Sequence, residues 1–167
     1  MKKNIELNHL TNVVPVNKTV SDKCTTAPFY FRGEIGTGGS LFQTNRTNES
    51  SVTIECITID GFLGGETVDV VKMDIEGFEP YALEGMKETL DKTKNILLFL
   101  ELAPNHLSRA GVSPDDFLAQ LDKAGFACQV INEERRCLQP TTTELIPEEG
   151  FSRGYCNLYC VKKANSK

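Results

Sequence analysis

The apolar positions of this chain change rhythm at about residue 68. Before that point, short runs and two-residue alternation predict strands. Residues 13–17, Val-Val-Pro-Val-Asn, form an apolar run that Pro15 confines to a sheet edge, because proline has no N–H for a ladder. Residues 29–32, Phe-Tyr-Phe-Arg, predict a second strand. In residues 51–60, Val52, Ile54, Cys56 and Thr58 take one face while Thr53, Glu55, Ile57 and Ile59 take the other. Residues 4–12 read as the end of a polar helix closing at Asn12, and the polar, glycine-bearing stretch 33–50 as a mobile loop of the kind that covers sites.

After residue 68 the runs lengthen. Residues 68–75, Val-Asp-Val-Val-Lys-Met-Asp-Ile, are apolar enough for a central strand. Leu83, Met86 and Leu90 then recur at helical spacing, which predicts one amphipathic helix over 79–92. The continuous run 95–102 fits a parallel strand covered on both faces. Ser113-Pro114-Asp115-Asp116 opens a helix with an N-cap, a first-turn proline and acids that complement the dipole. Phe117, Leu118, Leu121 and Ala124 are its buried stripe, and Gly125 stops it. Strands follow at 127–131 and 155–162. The order is that of a mostly parallel α/β sheet with one antiparallel strand, whose ligands bind beyond the carboxyl ends of its strands, here near 74–79 and 101–106.

Length and charge narrow the picture. The 167 residues suit a single domain over 1–167, 40% are apolar, and the net charge of −5 argues against broad electrostatic capture of nucleic acid or anionic membrane, which needs a basic face. No apolar stretch approaches a membrane span and no export-signal core follows the basic N-terminus, so a cytoplasmic location is expected. In that setting the cysteines at 24, 56, 128, 137, 156 and 160 are expected to be reduced, mostly buried small hydrophobes. Cys156 and Cys160, four apart on one strand, stand too far from each other to bond.

The candidate chemistry sits in Lys72-Met73-Asp74-Ile75-Glu76-Gly77-Phe78-Glu79. Alternation sends Lys72, Asp74 and Glu76 toward one face, and a lysine inside a buried strand requires a carboxylate partner, Asp74 or Glu101. Gly77 permits a sharp turn and a close approach. These residues converge where the fold puts its site, although acids that cap helices and a structural Lys–Asp pair would leave the same trace. Carboxylates in this number suit Mg²⁺, but nothing in the spacing specifies a metal. His106 lies beside a strand end, where a general base would serve and where surface-loop histidines are also common. Gly36-x-Gly38-Gly39 lacks the lysine and the flanking strand and helix of a phosphate loop.

The same residues resemble the FkbM family of S-adenosylmethionine-dependent methyltransferases. That family carries a strand ending Lys-x-Asp-x-Glu-Gly-x-Glu, a helix with Leu-x-Gly, and a strand ending in Glu. Lys72, Asp74, Glu76, Gly77, Glu79, Leu83, Gly85 and Glu101 occupy those places. The resemblance implies a Rossmann-like sheet and methyl transfer from S-adenosylmethionine to a small-molecule hydroxyl, on a sugar or secondary metabolite. It further implies that Asp74 lies nearest the methyl group, that Asp74 or preferably Glu76 takes the proton, that Lys72 fixes their charge, and that Glu101 orients the acceptor. The adenine would lie near residues 17–22, with Asn17, Ser21, Asp22 and Asp74 as cofactor contacts.

The family's first strand with its glycine-rich turn, and its second strand ending in an acid, have no counterpart here. The strand from Val68 is therefore expected to present a bare edge, which a homo-oligomer, a complementing chain or a rearranged sheet would cover. The competing expectation is a methyltransferase-like binding or assembly module without catalysis.

Overall fold

A computed structural model describes residues 1–33, 39–43, 47–141 and 154–163. The chain begins with helix α1 (Lys2–Leu7), followed by β1 (Thr19–Val20), β2 (Thr25–Arg32), β3 (Gly39–Ser40), β4 (Glu49–Ile57) and helix α2 (Ile59–Leu63). Strand β5 (Val70–Met73) leads to α3 (Glu79–Glu84) and α4 (Lys87–Lys92), then to β6 (Leu97–Leu102) and α5 (Pro104–Leu107). The last elements are α6 (Pro114–Lys123), β7 (Phe126–Asn132), β8 (Cys137–Pro140) and β9 (Cys156–Lys162). Residues 13–17 form no strand, and Val14 is largely exposed. The loop expected at 33–50 falls partly outside the described residues, as do Gly36 and Gly38.

The expected mostly parallel, Rossmann-like sheet is not what forms. Among the described residues there are two sheets, a four-stranded one ordered β1-β4-β2-β3 and a five-stranded one ordered β5-β6-β9-β7-β8. Of the paired strands among the described residues, β1 with β4 and β5 with β6 run parallel and the other pairs are antiparallel. The physical reason lies in the connections. A parallel neighbour needs a crossover such as the helices between β5 and β6 or between β6 and β7, whereas the strands after β7 enter the sheet antiparallel. Strands β7 and β8 join through a short turn at Arg136, and β9 inserts antiparallel between β6 and β7. Covering on both faces also fails: Leu98, Leu100 and Leu102 of β6 are buried, whereas Leu97, Phe99 and Glu101 are half-buried.

The core lies on the first of those faces. Leu98, Leu100, Leu102, Phe126, Val130 and Leu158 of the sheet meet Leu83, Met86, Leu90, Phe117 and Leu121 of the helices. Burying each such side chain stabilises the fold by roughly 1.5–3 kcal/mol relative to exposure. Ser113 caps α6 as its sequence requires, its hydroxyl accepting from the Asp116 N–H at 3.1 Å.

The helix expected over 79–92 is two helices. Gly85 ends the first where the chain packs so closely on Ser21 that a Cβ would stand 2.0 Å from the Ser21 carbonyl oxygen. Asp60 then caps the second, accepting from the N–H of Glu88 at 3.0 Å and of Thr89 at 2.8 Å. These contacts fasten the four-stranded sheet to the core. Phe42 adds another, its ring 5.1 Å from Phe78, which stacks at 4.6 Å on Tyr81.

The expectation that all cysteines are reduced also fails. Cys128 and Cys160 face each other across β7 and β9 and are joined as a disulfide. Sequence spacing does not reveal that pair, because it depends on which strands become neighbours.

Candidate functional site

Strand β5 forms one edge of the five-stranded sheet, so its residues are more open than a central strand's. Lys72 and Asp74 are both exposed and pair at 3.2 Å. The expected pairing therefore forms without the expected burial, and its electrostatic contribution is small.

Beyond the strand, the backbone turns sharply. Glu76 and Gly77 both take positive φ, +59° and +98°. For glutamate this is a strained conformation, costing on the order of 1–3 kcal/mol, and it holds only where the surroundings fix it. Glu79 does part of the fixing. Its buried carboxylate accepts from the Ile75 N–H at 2.9 Å, and burial pushes its pKa up against the lowering effect of its backbone donors. Gly77 does the rest: a Cβ there would stand 2.3 Å from the His106 carbonyl oxygen, so only glycine admits this approach.

That approach brings α5 against the turn. His106 Nδ1 lies 3.2 Å from Glu76 Oε2 and 3.9 Å from Glu101 Oε1. Glu101, at the end of β6, has its pKa pushed up to about 7 by burial, then by the charges of Asp74, Glu76 and Glu79, with Lys72 opposing. Carboxylates crowded at a strand end and partly withdrawn from water make a proton-exchanging site. Lys72, Asp74, Glu76 and Glu101 thus come together as their sequence positions suggest. His106 joins them as a full member; its place beside a strand end was the only sign of this in the sequence.

The residues expected as cofactor contacts at 17–22 stand apart from the carboxylate cluster. Asn17 is exposed, and the buried Ser21 gives its hydroxyl hydrogen to Asp22 at 2.8 Å. Among the described residues, no hydrogen bond or ion pair links Asn17, Ser21 or Asp22 to the carboxylate cluster. A groove of about 340 Å³ does reach from that region toward the cluster. Val20, Ile59, Phe62 and Met86 give it apolar walls, and Lys72, Met73 and Ile75, which flank Asp74, line its other side. Among the described residues no three His, Cys, Asp or Glu side chains are arranged to share a metal ion. No helix among the described residues is long and apolar enough to cross a membrane.

No curated protein and no solved structure matches the chain. The family model described as the methyltransferase FkbM domain matches residues 2–128, which include the strained turn, both site strands and His106. The chain therefore belongs to the FkbM methyltransferase domain family.

Proposed function

We propose that this chain carries out S-adenosylmethionine-dependent methyl transfer to a hydroxyl of a sugar or secondary metabolite. The observation that supports the reading is the convergence of Asp74, Glu76, Glu101 and His106 at the ends of the parallel pair β5 and β6. When bound, S-adenosylmethionine supplies an electrophilic methyl group on a cationic sulfur. The groove beside β5 has apolar walls that suit a purine, and its one charged lining residue, Lys72, pairs with Asp74 just outside it. Val20, Ile59, Phe62 and Met86 would hold the apolar part and Asp74 would face the charge. Asn17 and Asp22 are exposed and would contact polar groups at the groove's far end, whereas Ser21 is already committed to Asp22.

The chain's own residues then have separable tasks. Glu101, with a pKa near neutrality, would hold the acceptor hydroxyl as either donor or acceptor of a hydrogen bond. Lys72 would hold the Asp74 carboxylate in place through their ion pair. Holding acceptor and donor in line lowers the barrier by removing translational and rotational freedom before reaction. The reading is tested by replacing Asp74, Glu76 and Glu101 singly with their amides and measuring methyl transfer from labelled S-adenosylmethionine. A loss in each case supports it, and unchanged rates in all three would remove it.

One observation favours a second reading, a non-catalytic binding or assembly module. The outer edge of β5 has no neighbouring strand among the described residues, and Val70 there is 56% exposed. Under either reading, a second copy or a complementing chain would cover that edge.

A further inference from the structure

We propose that His106 is the proton acceptor of this site and that Glu76 is the residue that positions it. The proposal rests on the methyl-transfer reading. It reassigns the base from Glu76, which the sequence favoured, to the neighbouring imidazole. Three observations carry it. The Nδ1 atom is buried and lies at ion-pair distance, 3.2 Å, from Glu76 Oε2 without being aligned on it as a hydrogen bond, while a quarter of the side chain stays exposed, so the accessible part of His106 belongs to its other atoms. Glu76 reaches Nδ1 from a left-handed backbone conformation, the kind of strain that persists where a particular side-chain direction is enforced. Gly77 lets the His106 backbone seat directly on that turn, which fixes the imidazole relative to the carboxylate.

The chemistry follows from the two ring nitrogens. A carboxylate at Nδ1 holds a proton there and leaves Nε2 as the nitrogen able to take another. As the acceptor reacts, its O–H bond breaks, the proton moves to Nε2, and the electron pair stays on the acceptor oxygen, which becomes the nucleophile. The resulting imidazolium is stabilised by Glu76 and by Glu101 at 3.9 Å. This is the logic of an acid-oriented histidine, in which the carboxylate acts through the imidazole.

The charged groups beside His106 include Glu76 and Glu101, and Asp74, Glu79 and Lys72 act in turn on Glu101. Arg109 lies on its own segment, one turn later. Removing the Glu76 charge takes away an anion beside the imidazolium, so the His106 pKa falls and the acidic limb of a pH–rate profile moves to lower pH.

The test uses the full chain, in which His9 and His106 are the only histidines, so that His106→Gln assigns the imidazole signals at once. NMR titration of wild type and Glu76→Gln is expected to show the His106 midpoint lower by roughly one pH unit in the variant, with His9 unmoved. Methyl transfer from S-adenosylmethionine to methyl hexosides is expected to fall roughly 10²–10⁴-fold in His106→Gln, with S-adenosylhomocysteine affinity retained. An unmoved His106 midpoint in Glu76→Gln would overturn the positioning role. An active wild type whose rate and acidic limb survive His106→Gln would overturn the base assignment while leaving the methyl-transfer reading intact. A folded wild type that binds no S-adenosylhomocysteine would instead defeat that reading and the base role with it.

Discussion

The two flanks of the five-stranded sheet bury different things. Around β9 and β7, Phe126, Val130, Leu158 and Cys160 are at most 5% exposed, and the Cys128–Cys160 disulfide staples the strands. Around β5 and the end of β6, the surface instead gathers Lys72, Asp74, Glu76, Glu101 and His106 on a strained turn beside an open groove. One flank supplies cohesion and the other stores unfavourable charge and backbone strain. A fold tolerates the second because the first is secure, as expected where function draws on stability made elsewhere.

The contrast breaks most visibly at the apolar flank. Phe117, fully buried on α6 against β7, is expected to cost roughly 3–5 kcal/mol when replaced by alanine. Chemical denaturation measures the loss, and the affinity of the folded fraction for S-adenosylhomocysteine should stay unchanged. Next comes the staple. Replacing both Cys128 and Cys160 by serine should cost about 2–4 kcal/mol, and a reducing agent should lower the wild-type denaturation midpoint while leaving the double variant's in place.

At the charged flank the sign reverses. The Glu101 carboxyl, raised from about 4.5 to about 7 in the folded chain, binds its proton more tightly there than in the unfolded chain. Its relative contribution is therefore best below about 4.5 and is lost as pH rises through about 7. Glu101→Gln should accordingly be more stable than wild type at pH 8, by on the order of 1–3 kcal/mol, and equal to it near pH 4. Urea titrations at the two pH values decide this. The smallest effect belongs to Lys72→Ala: its ion pair with Asp74 is exposed, so the change should stay under about 1 kcal/mol and vanish in high salt.

The sequence was most legible where local chemistry decides. The Ser113 cap, the buried stripe of α6 and the gathering of charged residues after β5 follow from spacing and residue type, and the structure has them. The sheet's direction was not legible, because β9 finds its place between β6 and β7 through long-range pairing that no local pattern encodes. The break at Gly85 escaped for a similar reason: its cause is Asp60 and Ser21, distant in sequence. The exposure of Lys72 is hidden too, because an apolar run looks alike in a central and an edge strand. The place of His106 is hidden in the sequence because Glu76 stands thirty residues earlier and meets it through the Gly77 turn.

The central claim is that the groove and the carboxylate cluster beside β5 form a methyl-transfer site. Calorimetric titration of the full chain with S-adenosylhomocysteine, with its mass in solution measured alongside, tests it most directly. The account expects micromolar binding, weakened at least about tenfold by a charged residue placed in the groove wall at Val20, which would be buried against apolar neighbours. Absence of binding at millimolar ligand, in a well-folded protein, would contradict it and favour the non-catalytic module.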